Sequence, residues 1–284
     1  MQKYEVEGHE PSFLPDGKKW KPVWSDEFDG DRLDTDKWSF RLNYWGYPAE
    51  QYTDKGVSLD GNGCVVFRPV VENGMVKSSQ LQTGANSFDN LDLYGAIKNR
   101  LSGVKGDNPW SDQVEIWPLK PLEKPKFMHR YGYYEARVRF QTKNFWWSAF
   151  WTQSPTIGAA YNPEFCGVES DIVENFVRGD LTSGNIYGGY GKTFAEDARV
   201  RYPYTEDGKF HRFGMEWSET GYVFYFDGKQ TARSDGPVSK VEQFILLSTE
   251  VRGYRSNRRK TEWTDDELDD RFICDYVRVF DEIK

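Results

Sequence analysis

Phe210-His-Arg-Phe-Gly-Met-Glu-Trp217, Tyr222-Val-Phe-Tyr-Phe226 and Lys229-Gln-Thr-Ala-Arg233 follow one another closely, with Asp227-Gly228 between the last two. Alternating polarity and dense aromatic and β-branched residues mark these runs as strands. Asp-Gly reads as a tight hairpin turn, because both residues tolerate positive φ. The same alternation recurs in Gly132–Phe140 (GYYEARVRF), and Cys274–Phe280 (CDYVRVF) reads as a closing strand. Helical periodicity is nearly absent. The one predicted helix is short, Thr264 to Asp270, with Thr264 as N-cap and acidic residues in its first turn. Many short strands without interposed helices imply an all-β antiparallel sandwich. With no repeat or linker, one domain is expected over residues 21–284, after a lead-in segment, residues 1–20. Two long stretches lack strand pattern, Gly84–Lys126 and Gly253–Asp270, and long irregular loops usually carry function.

Composition narrows the function. Basic residues number 37 against 45 acidic, for a net charge of -8, so nucleic acid is not an expected partner. No apolar run approaches the ~18–20 residues that span a membrane, and Met1–Gly8 is polar with no signal-peptide core. Cys64, Cys166 and Cys274 are odd in number and widely spaced, which argues for reduced thiols rather than a disulfide framework or a zinc site. The 11 Trp, 17 Tyr and 19 Phe are scattered among polar residues. That mixture suits a groove for flat hydroxylated ligands, where rings cover C–H faces and polar neighbours take hydroxyls. An ordinary aromatic-rich β core is the plainer reading of the same composition.

Gly167–Phe176 reads GVESDIVENF. In a strand, Glu169 and Asp171 share one face, while Ser170 and Ile172 share the other. Regular alternation would place Val173, not Glu174, beside Asp171. A one-residue bulge after Asp171 would bring Glu174 onto the acidic face. The two glutamates would then lie about 13 Å apart at Cα, from four steps of ~3.3 Å. Side chains leaning together close that to roughly 5–6 Å, near the ~5–5.5 Å that a retaining glycosidase needs for nucleophile and acid/base. Asp171 between them would hydrogen-bond the nucleophile and help separate the two carboxyls in acidity. The plainer reading is a solvated edge strand, but Val168, Ile172, Val173 and Phe176 make it too apolar for an edge.

Glu169-Ser-Asp171-Ile-Val-Glu174 resembles the bulged signature of glycoside hydrolase family 16, which includes laminarinases, agarases, porphyranases and carrageenases. The resemblance extends to Trp24-Ser-Asp-Glu-Phe-Asp-Gly30 with Lys37-Trp38, to Tyr131–Arg137, to Trp147-Ser-Ala-Phe-Trp151, and to Phe210–Trp217, Phe224–Gly228 and Asp275–Val279. It implies a concanavalin-like β-sandwich jelly roll with an open concave cleft, cutting internal β-linkages with retention. Carried over, Glu169 would be nucleophile, Asp171 its assistant and Glu174 acid/base. Ser170 stands where an aliphatic residue is usual. Ser148 and Asn162-Pro-Glu-Phe-Cys166 depart from the laminarinase pattern, whereas Trp45-Gly46 and Glu50-Gln-Tyr-Thr53 resemble it.

Trp147 and Trp151 share strand parity and are expected to stack sugars or to pack the core; Trp45, Trp110 and Trp117 in loop-like stretches are further candidates. His211 reads as a sheet-face histidine and Cys166 as a small buried hydrophobe. No cofactor is required. Glu27 and Asp275 lie where many members of the family hold a structural calcium, though two oxygens do not make a site. The polysaccharide is expected to be porphyran or agarose ahead of laminarin. Arg255, Arg258 and Arg259 sit in a dense basic run, and Arg41 and Arg178 add charge that suits sulfate. An endo-β-1,3-glucanase is the alternative, and a non-catalytic carbohydrate-binding jelly roll the alternative from another class. A monomer, secreted, periplasmic or at the cell surface, is expected from the polymeric substrate.

Overall fold

The computed structural model describes residues 1–44, 47–86, 89, 124–159, 162–177, 180–183, 185–187, 200–203, 207–252 and 260–284. Two eight-stranded antiparallel sheets face each other. The first runs in the order Val200–Pro203, Asp180–Ser183, Glu169–Val177, Trp146–Gln153, Phe244–Val251, Gln80–Gln82 and Ser39–Phe40, with Asn185–Tyr187 also paired to Glu169–Val177. The second runs Lys229–Ser234, Gly221–Phe226, His211–Ser218, Gly132–Arg139, Phe272–Ile283, Val65–Phe67 and Val57–Leu59, with Lys19–Asp26 on the far half of Phe272–Ile283. Non-local pairing throughout gives the all-β sandwich that the alternation implies.

The core fills the space between the sheets. Phe150, Ile172, Val173, Ile245 and Leu247 from the first sheet meet Tyr134, Val138, Phe213, Met215 and Val277 from the second, all fully buried. Asp227 and Gly228 adopt φ of 46° and 74°, the paired positive angles of a primed hairpin turn. Asp26 takes a hydrogen bond from Trp38 Nε1 at 2.7 Å and an ion pair from Lys37 at 3.2 Å. That contact gives the opening-strand motif its spacing. The short helix spans Asp265–Leu268, and Thr264 and Glu267 cap it reciprocally.

The lead-in has more structure than its composition suggested. Gln2–Val6 and His9–Leu14 pair as a hairpin whose second strand lies against the outer face of the second sheet. Alternation would leave Glu135 facing water, yet it is fully buried there. Its carboxylate accepts from Phe13 N at 3.0 Å and Tyr276 OH at 2.8 Å, and burial holds the carboxyl above its ordinary range. Arg278 spans the seam, donating to Glu10 O, Ser12 Oγ and Glu27 at 2.9, 3.0 and 2.7 Å. The hairpin hides the polar face because main-chain carbonyls and a charged network replace its water.

Candidate active site

Gly167 leads into the decisive strand at φ +91°, where an added Cβ would meet Ser154 Cβ at 2.0 Å. Only glycine lets the chain turn so close to its neighbour. Beyond it, Glu169 pairs with Gln153, Asp171 with Trp151, Val173 with Phe150 and Glu174 with Ala149. Ile172 is therefore an extra residue, a bulge at the place the three acids require. Ile172 and Val173 both enter the core. Glu169, Asp171 and Glu174 accordingly share the opposite face with Ala149, Trp151 and Gln153.

The neighbouring strand Trp146–Gln153 supplies donors to two of these carboxylates. Trp147 Nε1 donates to Glu174 Oε1 at 2.9 Å. Gln153 donates through its side-chain amide to Glu169 Oε2, and Asn86 donates in turn to Gln153 Oε1. Asp171 and Glu174 are 4% and 9% exposed, while Glu169 is more open. Trp151 anchors its indole on Ser248 Oγ at 3.0 Å. Glu250 pairs with Trp147 along the ladder and accepts from Tyr52 OH. Gln80 and Gln82 pair with Ser248 and Leu246, and so extend this polar face. The result is a sheet face lined by carboxylates, amides and indoles. Charge-assisted N–H bonds fix a carboxylate's direction and favour its ionised form.

The structure places the remaining candidates as follows. Arg41 is 2% exposed; its Nε donates to Asp89 at 2.6 Å and its guanidinium lies 5.6 Å from the Trp151 ring. This contact braces the tryptophan from within the protein. Trp45, Trp110, Trp117, Arg178, Arg255, Arg258 and Arg259 lie outside the described residues, as does most of the Gly84–Lys126 stretch. Ser170 turns away from the acids, buried near Gln243. Ser148 also faces between the sheets, its hydroxyl donating to Gln141 Oε1 at 2.6 Å and lying 2.8 Å from the Thr249 hydroxyl. Cys166 is buried, none of the three cysteines forms a disulfide, and His211 pairs with Asp227 and Asp207. Glu27 and Asp275 are taken up by Arg278 and Arg137 at 2.7 and 2.6 Å. They do not fit a cation cradle, and no group of three or more potential metal ligands occurs among the described residues. Nor is any described helix long and apolar enough to cross a membrane.

Sequence reading passed over Gln153, Glu250 and Asn86, and named Tyr52 only within the Glu50–Thr53 motif. Gln153 shares parity with Trp147 and Trp151, and Glu250 is a lone acid in an apolar strand, so both carried a signal. Asn86 and Tyr52 reach the site from irregular segments, where no periodicity marks them.

The family model of glycosyl hydrolases family 16 matches residues 121–248. A β-porphyranase B from Phocaeicola plebeius is 24% identical over 94% of this chain and 86% of its own length. A glucan endo-1,3-β-glucosidase A1 from Niallia circulans is 23% identical over 92% of this chain but 38% of its own length. Among solved structures, the endo-β-1,3-glucanase of Pyrococcus furiosus superposes with a TM-score of 0.66 at 20% identity, covering 95% of this chain and 97% of that one.

Proposed function

As a member of glycosyl hydrolases family 16, the chain is an endo-glycosidase, and we propose that it cleaves a red-algal galactan, porphyran or agarose, with Glu169 as nucleophile and Glu174 as acid/base. The observation that carries the assignment is the bulge at Ile172, which sets both glutamates on one face, each against an N–H donor. In this reading Glu174 protonates the departing glycosidic oxygen while Glu169 attacks the anomeric carbon from the opposite side. Water, deprotonated by Glu174, then releases the glycosyl-enzyme with net retention. Asp171, between them, keeps the nucleophile oriented, and the Trp147 ring covers a sugar face beside the scissile bond.

The galactan choice rests on two supports. The porphyranase relative aligns over most of both chains, whereas the Niallia glucanase shares 38% of its length. Ser148, where laminarinases commonly carry proline, is tied into a polar network with Gln141 and Thr249. A β-1,3-glucan is the second reading, favoured by Glu50-Gln-Tyr-Thr53, whose Tyr52 reaches Glu250. Reducing-sugar release from agarose, porphyran, carrageenan, laminarin and mixed-linkage glucan decides between them. Cleavage of porphyran or agarose is expected. Efficient cleavage of laminarin with no action on any galactan overturns the substrate choice. Binding without product on every glycan overturns the catalytic reading itself.

A further inference from the structure

We propose that Gln153, oriented by Asn86, is a positioning residue that aims Glu169 and keeps it ionised for attack. The inference rests on the reading of Glu169 as nucleophile. Gln153 and Asn86 are 1% and 2% exposed and belong to different segments, yet they form one directed chain onto the carboxylate: Asn86 amide to Gln153 carbonyl, Gln153 amide to Glu169. A side-chain amide has one donating and one accepting end. Glu169, when ionised, only accepts, so Gln153 must present its NH2 group to it. The carbonyl of Gln153 then faces Asn86, and the Asn86 NH2 group holds it there. Were Gln153 reversed, its carbonyl oxygen would meet the carboxylate and Asn86 would have no acceptor. The order of the chain thus fixes the amide, and the amide fixes the nucleophile. An N–H donated to the charged form favours that form.

Other charges near this face stay constant when Gln153 changes. Asp171 and Glu174 share the strand of Glu169, and Asn185–Tyr187, paired on its other side, sets Tyr187 opposite Glu169 in wild type and variant alike. The adjoining strand presents Trp147, Ala149, Trp151 and Gln153, none of them titratable. Glu250 lies on the next strand, and Arg41 is held by Asp89. Gln153→Met removes the side-chain amide and adds no charge, so a change in the titration of Glu169 reads the lost N–H.

The test is carbon NMR of protein labelled at the glutamate side-chain carboxyls, with the Glu169 resonance assigned by its disappearance in Glu169→Gln. The titration midpoint of Glu169 should rise by about one pH unit in Gln153→Met, a tenfold change in proton affinity. It should rise by a smaller amount in Asn86→Ala, which leaves Gln153 free to rotate. On a cleaved glycan, kcat should fall roughly 10- to 100-fold with KM within about twofold, the pattern of an interaction made in the transition state. An unmoved midpoint in both folded variants overturns the proposal. The titration needs no substrate, so it stands whether or not any glycan is cleaved. Absence of hydrolysis by wild type would sink the functional reading, while an unmoved midpoint in an active enzyme would sink this one alone.

Discussion

Deleting Ile172 should leave an active enzyme, because the bulge residue is surplus to the alternation. In the register, Glu169 opposes Gln153 and Glu174 opposes Ala149, four partner positions apart. Removing Ile172 leaves Glu169, Asp171 and Glu174 on alternate positions, with Val173 alone pointing inward, and the pairings on either side unchanged. The cost is one fully buried isoleucine, about 2–5 kcal/mol by comparison with large-to-small core substitutions. At roughly 2–4 °C per kcal/mol for a domain somewhat smaller than this one, the melting temperature should drop by about 5–20 °C. Loss of the local kink displaces the carboxylates slightly, and a ~1 Å misplacement costs up to about a hundredfold in rate. Deleting Ile172 and Val173 together has the opposite result on parity. Glu174 is then driven toward the core, activity falls to the level of Glu174→Gln, and an unpaired buried carboxylate costs several further kcal/mol. Calorimetry gives the stabilities, and reducing-sugar release gives the rates. A folded single-deletion variant no more active than Glu174→Gln would refute the parity argument.

Ser148→Ala removes a buried hydroxyl bonded to Gln141 and Thr249 and should cost about 1–3 kcal/mol, read as a lower denaturant midpoint with the slope unchanged. Arg278→Met should release the N-terminal hairpin, because Glu27 and Glu10 O lose their shared donor; limited proteolysis should then cut before residue 15 well before the sandwich unfolds, and equal protection in both proteins would count against that role. The hydrogen bond from His211 to Asp227 raises the histidine above its ordinary value. Its contribution to stability is complete below pH ~6.5, the unfolded value, and is lost as pH rises through the higher folded value. Melting temperature measured across that window should fall less steeply with pH in His211→Gln than in wild type; equal slopes would exclude the pairing.

Much of the fold was legible because strand alternation is a local signal. Gly132–Phe140, Phe210–Trp217 and the Asp227-Gly228 turn each read correctly from their own residues, and Thr264 with the acids after it announced a helix, which is shorter than read, Asp265–Leu268. The bulge was legible for a different reason: three acids on one face require an extra residue, and the apolar Ile172-Val173 pair supplies two inward positions. The N-terminal hairpin was not legible. Its strands are short and polar, and their stability comes from Arg278, Arg212 and Glu135 far along the chain. Alternation sets Glu135 on the outer side of its sheet, but it reports only which side a residue faces, not what covers that side. Arg41 looked like a charge available to substrate, since nothing in its neighbourhood indicates Asp89 or Trp151 as partners. The polar relay from Asn86 through Gln153 joins segments 67 residues apart, a separation that no periodicity encodes.

The roles of Glu169 and Glu174 are tested most directly by the anomer formed when azide rescues each alanine variant on a substrate with a good leaving group. In Glu169→Ala, azide takes the place of the nucleophile and attacks once, opposite the leaving group, so the product is the α-glycosyl azide. In Glu174→Ala the glycosyl-enzyme still forms on Glu169, azide displaces it in a second step, and the product is the β-glycosyl azide. Proton NMR of the two products decides the matter. An α-azide from Glu169→Ala with a β-azide from Glu174→Ala is the predicted result; the reverse pair, or near-wild-type hydrolysis by either variant without azide, would contradict the account.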